Sequence, residues 1–196
     1  MEVLLPIEIV TPRLALRPFE IGWERAVYDL VLKNHDRLIP WMPWAKEPSI
    51  ERTAEFVANA AEAWQARKDL AMAIFERGEN RLVGAGGLHR INWTARTFEI
   101  GYWIDGDYEG KGLVTEMSLA LTRFCFEKLE ARRVEIRCDP RNRRSAAVPQ
   151  RLGFEHEGTL RKIMIGPDGE SVDLEIHARV DSQGLPPLSY ETPGLN

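Results

Sequence analysis

Cysteine is scarce in this chain of 196 residues; only Cys125 and Cys138 occur. Two cysteines cannot build a disulfide framework, which points to a reducing, cytoplasmic setting. No apolar run approaches the roughly 20 residues that span a bilayer. The opening MEVLLPIEIV lacks a basic region ahead of a long apolar stretch, so neither a membrane anchor nor an export signal is expected. Positive charge is not in surplus either: 26 Lys and Arg against 30 Asp and Glu leave a net charge of -4. That argues against a broad nucleic-acid-binding surface, though not against a local basic patch. The chain shows no internal repeat, no low-complexity tract and no linker that would divide it, and no metal is expected. Two phosphate-binding fingerprints are missing as well. A Walker loop needs GxxxxGK followed by Ser or Thr, and the dinucleotide pattern GxGxxG fails because residue 115 is Thr.

What is present suits one domain with a sizeable core: 44% of residues are hydrophobic and 29% charged. RLALRPF (residues 13–19) alternates as a first strand. Trp23, Val27, Leu30 and Val31 have helical spacing, and a second long helix is expected over residues 49–68. Between them HDRLIPWMPWAKEP carries three prolines and two of the six tryptophans, Trp41 and Trp44, and reads as an ordered loop. LAMAIFE and RLVGAGGLHR read as a hairpin, as do FEHEGTLRKIMI and SVDLEIHARV around PDGE. TFEIGYWI and RRVEIRCD are strands joined by a helix whose Leu113, Met117, Leu121 and Phe124 share one face. A helix connection makes that strand pair parallel. NRRSAAVPQRLG is a short helix ended by Gly153, with Pro149 expected to kink it. Residues 182–196 have no period and read as a tail. The mixed order implies an α+β class with a mostly antiparallel sheet.

The most informative stretch is TFEIGYWIDGDYEGKGLVT, residues 97–115. It reads as a strand, an acidic turn and a glycine-spaced loop that runs into the long helix. Such a loop turns several backbone N–H groups toward a helix N-terminus, where the helix dipole also favours negative charge, and it makes a seat for a pyrophosphate. Glycine-rich turns before helices are common, and GKG by itself is a weak signal.

EIGYWID, YEGKGLVTE and CDPRNRRSAAVPQRLGFEHEG, in that order and spacing, resemble the GCN5-related N-acetyltransferase (GNAT) superfamily and, within it, the RimJ/RimL type. The resemblance runs from about residue 13 to 180, and WMPW and the closing IHARV extend it. It implies a single GNAT-like domain over residues 1–181, with a mixed sheet containing one splayed parallel strand pair and helices on its flanks. It also implies acetyl-coenzyme A as cosubstrate. The family's loop, Gln/Arg-x-x-Gly-x-Gly/Ala, falls on Glu109, Gly110, Lys111, Gly112, Leu113 and Val114. Gly112 matches, whereas Glu109 and Val114 depart. The cofactor residues implied are Tyr102, Trp103 and Ile104 on the splayed strand, Gly110, Lys111, Gly112, Leu113, Val114 and Thr115 on the loop, and Asn142 with Ser145 on the next helix. Ser145 would lie near the cofactor sulfur and supply a proton to the departing thiolate; Asn and Ser are equally good helix caps.

On the acceptor side, amide formation needs a neutral amine. An N-terminal amine, with a reference pKa near 7.7–8.0, needs less help than a lysine near 10.4. Glu99, which alternates with Phe98 and Ile100, is the first choice of base, with Glu157 and His89 as others; each could be structural. Trp41 and Trp44, stiffened by Pro40 and Pro43, either wall the acceptor groove, plug a core or pack on a second copy in a homodimer. Cys138 is placed beside the thioester, and Cys125 on a core face. The expected activity is transfer of acetyl from acetyl-coenzyme A to a protein or peptide N-terminus in a ternary complex. A small amine acceptor, another acyl donor such as succinyl-coenzyme A, or a non-catalytic acetyl-coenzyme A sensor are alternatives. No direct nucleic-acid or membrane partner is expected.

Overall fold

The computed structural model describes residues 4–166 and 168–195. Eight strands form one sheet in the order β1-β2-β3-β4-β5-β6-β8-β7. The strands are β1 (Ile9–Val10), β2 (Leu14–Pro18), β3 (Leu70–Glu76), β4 (Arg81–Asn92), β5 (Thr97–Ile104), β6 (Arg133–Cys138), β7 (Glu155–Ile165) and β8 (Ser171–Arg179). The helices are α1 (Glu24–Lys33), α2 (His35–Leu38), α3 (Ile50–Gln65), α4 (Leu113–Lys128) and α5 (Arg143–Arg151). The proline-rich loop is more structured than expected: it holds α2 and a single 3-10 turn, Pro43–Ala45. Pro167, in the turn expected between β7 and β8, lies outside the described residues.

Strand alternation sorts the core into two layers. One face of β2 to β6 contributes Leu14, Leu16, Ile74, Phe98, Ile100 and Val134 to a cluster with Met117, Leu121 and Phe124 of α4 and Val148 of α5. The other face contributes Ala15, Ala73, Phe75 and Ala85 to a cluster with Val27 and Val31 of α1 and Val57 and Ala60 of α3. Small residues on β3 and β4 let the α1–α3 layer approach closely. Ser49 caps α3 by accepting the Arg52 N–H at 3.1 Å, so the missing capping-box carboxylate does not prevent the cap.

β5 and β6 are the parallel pair, and their ladder is short: Thr97, Phe98 and Glu99 face Arg133, Val134 and Glu135. Beyond Glu99, β5 stays with β4 as far as Ile104↔Gly84, while β6 stays with β8 as far as Cys138↔Glu175. The two strands therefore diverge into a wedge. The last strand, β8, inserts between β6 and β7 and forms one wall beside it.

Residues 182–195 have little regular structure but are docked. Val10 bridges Glu191, Leu185 is buried, the Tyr190 hydroxyl donates to Glu127 at 2.8 Å, and Arg123 donates to the Pro186 carbonyl at 2.8 Å.

Candidate active site

The glycine loop follows β5 through a fastened turn. Asp105, 2% exposed, receives Lys33 at 2.7 Å, and Asn34 accepts the Gly106 N–H at 2.8 Å. Burial pushes the Asp105 carboxyl up, but Lys33 and the Asp107 N–H outweigh this and hold it below its ordinary range. From the other side Arg13 clamps the loop: its guanidinium donates to the Lys111 carbonyl at 2.8 Å and to Glu116, in the first turn of α4, at 2.6 Å. Gly110 and Gly112 both take left-handed backbone, at φ 73° and 76°, which glycine adopts without strain. Among the described residues, no acceptor is found for the N–H groups of residues 110 to 115; the next one, of Glu116, reaches Gly112 O. This row of unpaired donors at the head of a 16-residue helix is an anion seat. It is built from main chain, so the departures at Glu109 and Val114 do not remove it. The Leu113 side chain is buried in the core and leaves only its backbone for the seat.

Glu109 does not face the seat as an unpaired charge. Its carboxylate is held by Arg37 of α2 and Arg144 of α5. Those residues lie 72 and 35 positions away in sequence, and the chain offers no local signal for either contact. Lys111 extends over the Tyr108 ring, 4.9 Å from its centroid. It lines a second hollow with Arg13 and Arg77.

The wedge itself is a cleft of about 180 Å³. β5 lines it with Ile100, Gly101 and Tyr102, β6 with Arg137 and Cys138, and α5 with Asn142 and Ser145. Trp41, Met42 and Pro43 also line it, as do Met164, Val172 and Leu174 of the β7–β8 hairpin. The structure thus brings Tyr102, Asn142, Ser145, Cys138 and Trp41 together. It places Trp44 just outside the lining, packed on Trp103 with ring centroids 6.1 Å apart. Trp103 accordingly turns its side chain toward the α1–α3 face, while Ile104 packs into the opposite core. Gly101, Arg137 and Met164 were not singled out from the sequence; the first two adjoin Tyr102 and Cys138 on the strand edges that part at the wedge.

Asn142 caps α5 by accepting the Ser145 N–H at 3.1 Å. The Tyr102 hydroxyl lies 3.2 Å from the Ser145 carbonyl and 3.2 Å from its hydroxyl. Burial drives the Tyr102 phenol well above its ordinary range, so the pair stays protonated and can donate.

The three carboxyl and imidazole choices fare differently. Glu157 is exposed and bound by Arg133 at 2.7 Å, which holds its carboxyl low; it does not line the cleft. Glu99 is largely buried, with Arg137 at 3.1 Å and Arg90 at 3.2 Å. Desolvation raises it more than the two guanidinium groups lower it. His89 stands directly across from Glu99 on β4, with its Nδ1 2.8 Å from Asp69.

Cys138 sits at the end of β6 with Glu175 opposite. Burial, then the Glu175 and Asp139 charges, push its thiol up to about 11, which opposes a thiolate nucleophile. Cys138, Glu175 and His177 hold ligand atoms within 4.8 Å of one another and could accept a soft divalent cation. Cys125 is fully buried, and its thiol is raised by desolvation alone.

Among the described residues, no helix is long and apolar enough to cross a membrane. Residues 13–155 match the family model described as an acetyltransferase (GNAT) domain. The ribosomal-protein-serine acetyltransferase of Escherichia coli is 31% identical over 81% of this chain and 88% of its own. The structure of RimL, a ribosomal L7/L12 α-N-protein acetyltransferase carrying coenzyme A in a disulfide with one of its cysteines, superposes with a TM-score of 0.82. It is 27% identical over 88% of this chain and 97% of that one. The microcin C7 self-immunity acetyltransferase MccE, in complex with acetyl-CoA and AMP, gives 0.80 at 26% identity, over 86% and 93% of the two chains. The wedge between β5 and β6, the amide-lined loop at the head of α4 and these matches converge: the chain belongs to the GNAT family of acetyltransferases.

Proposed function

We propose that this acetyltransferase uses acetyl-coenzyme A to acetylate the N-terminal amine of a protein, ribosomal proteins being the class its relatives' names point to, and that it works in the cytoplasm. The row of unpaired N–H groups at residues 110 to 115 carries the donor half of this reading. The pyrophosphate is seated there. The pantetheine arm follows the free edge of β5 past Tyr102 to Ile104, and the thioester reaches the wedge beside Cys138 and Ser145.

The acceptor enters from the side walled by Trp41, Met42 and Pro43. Two prolines stiffen this wall, and a rigid apolar slot suits an extended chain end better than a bulky folded surface. The amine nitrogen attacks the thioester carbonyl directly, because the protonated Cys138 thiol gives no route to an acyl-enzyme. The departing thiolate takes its proton from the Tyr102–Ser145 hydroxyl pair. The amine's proton leaves on the opposite face of β5, where Glu99 and His89 stand across from each other.

Incubation with labelled acetyl-coenzyme A and a peptide library with free N-termini tests the reading. Label is expected on α-amines, with little on lysine side chains. Gly112→Trp, which fills the seat and strains the left-handed turn, is expected to abolish acetyl-coenzyme A binding with the fold retained. Binding without transfer to any amine would instead identify a sensor.

A further inference from the structure

Among the groups around the wedge, the histidine on β4 has the geometry of a proton acceptor. His89 Nδ1 lies 2.8 Å from a carboxylate oxygen of Asp69. A carboxylate only accepts, so Nδ1 carries the hydrogen, and the neutral ring has its lone pair on Nε2. That nitrogen is turned toward Gly101. A side chain at residue 101 would place its Cβ 2.8 Å from His89 Cδ2 and 3.1 Å from Nε2, so the ring occupies the space that any other residue would claim. Gly101 is part of the cleft lining and shares its face of β5 with Glu99 and Trp103, the face on which Trp44 packs. The imidazole is therefore oriented by a carboxylate behind it and packs its Cδ2–Nε2 edge against Gly101, a residue of the cleft lining, with about a third of its side chain exposed.

We propose that the Asp69–His89 pair is the general base of the transfer reaction, with Nε2 taking the amine proton through one bridging water. As the amine nitrogen forms its bond to the acetyl carbonyl carbon, its N–H proton passes to Nε2. Collapse of the tetrahedral intermediate breaks the C–S bond, and the thiolate is protonated from the Tyr102–Ser145 pair. His89 then releases its proton to solvent, and the Tyr102–Ser145 pair regains one from solvent, which restores both groups. Asp69 is a positioning residue, which fixes the tautomer. Glu99 Oε2 lies 3.1 Å from Arg137 and 3.2 Å from Arg90 but makes no hydrogen bond among the described residues, and its carboxylate contributes negative potential beside the ring. The charged groups around His89 are thus Asp69 ahead of β3, Glu99 on β5, Arg90 on its own strand and Arg137 on β6.

This inference rests on the acetyltransferase reading above, and the test separates the two. Turnover of an N-terminal peptide by the full chain is measured from pH 5.5 to 9 for the parent, His89→Gln, Asp69→Asn and Glu99→Gln, alongside acetyl-coenzyme A affinity and unfolding midpoint. His89→Gln is expected to lower kcat on the order of 10²-fold near pH 7. The deficit should shrink toward pH 9, where the amine is neutral by itself, and cofactor affinity should be unchanged. Asp69→Asn should reproduce the pH-dependent deficit in weaker form, and Glu99→Gln should retain the parent's profile shape. A His89→Gln rate within threefold of the parent overturns the assignment, as does a loss that is uniform across pH. If His89→Gln fails to fold, an Asp69→Asn profile that overlays the parent overturns it. A parent that binds acetyl-coenzyme A but transfers to no amine refutes the broader reading, and the base with it.

Discussion

The Ser145 carbonyl oxygen, which a regular helix would give to the N–H of residue 149, lies 3.2 Å from the Tyr102 hydroxyl and accepts its hydrogen bond. Residue 149 is proline and has no N–H to offer. The proline inside α5 thereby frees an acceptor at the point where β5 and α5 meet across the wedge, and it ties the phenol to Ser145.

Pro149→Ala is expected to return that carbonyl to the helix. The interior-proline penalty of about 3 kcal/mol is relieved, partly offset by lost packing of a buried ring, so the unfolding midpoint should rise. The Tyr102 hydroxyl then loses one partner, and kcat should fall several-fold with acetyl-coenzyme A affinity unchanged. Calorimetry and steady-state kinetics on the same preparation check both halves. An unaltered kcat would reduce the proline to a packing residue.

A second expectation concerns the carboxylate that stands where the family's loop has Gln or Arg. Glu109 pairs with Arg37 and Arg144, and these guanidinium groups flank the phosphate seat. In the proposed reading the carboxylate competes with the cofactor's phosphates for them. Glu109→Gln should tighten acetyl-coenzyme A binding about fivefold and steepen its dependence on salt, since more positive charge is then presented to the phosphates. Arg144→Ala should weaken binding. Titration calorimetry at two ionic strengths decides; weaker binding by Glu109→Gln would mean that the carboxylate shapes the loop rather than competes with the ligand.

The parts legible in the sequence were those encoded locally. The period of two in FEIGYWI placed Phe98 and Ile100 in the core and Glu99 opposite them, and the glycine-spaced loop before an apolar helix marked the stretch whose N–H groups are found unpaired among the described residues. Long-range pairings were not legible. The contacts of Glu109 with Arg37 and Arg144 depend on α2, a helix of only four residues inside a proline-rich loop without helical periodicity. Likewise Asp69 and His89 meet because β3 and β4 pair with Leu70 opposite Leu88, a register that no short pattern states. The role of Pro149 needed the carbonyl four residues back to be seen beside a tyrosine from another strand.

Glu99 gives a stability signature that is independent of catalysis. Its carboxyl is raised, chiefly by desolvation, so the folded chain holds that proton more tightly than the unfolded one. Stability from this group is complete below the ordinary carboxylate value of 4.5 and is lost as pH rises through the elevated folded value. Glu99→Gln, a mimic of the protonated state, should match the parent's unfolding midpoint near pH 4 and exceed it by about 2 °C at pH 7. A variant less stable than the parent at pH 7 would show that the ion pairs to Arg137 and Arg90 outweigh the burial.

Cys138 should be a slow thiol whose reactivity reports on the strand beside it. With its thiol pushed up to about 11, only a small fraction is thiolate at pH 7.5, and the thiolate is the nucleophile. Iodoacetamide should therefore label Cys138 slowly, at a rate that keeps climbing through pH 9, while Cys125, fully buried, is labelled only on unfolding. Glu175 faces Cys138 across the β6–β8 ladder, and its charge is the second cause of the shift, after burial. Glu175→Gln should then accelerate labelling at pH 7.5 several-fold, and acetyl-coenzyme A should suppress it in both proteins if the thioester occupies the wedge. Mass spectrometry of tryptic peptides separates the two cysteines. Rapid labelling of the parent at neutral pH would contradict the buried, negatively flanked thiol and would reopen the acyl-enzyme route. Labelling unaffected by acetyl-coenzyme A would place the acyl group elsewhere.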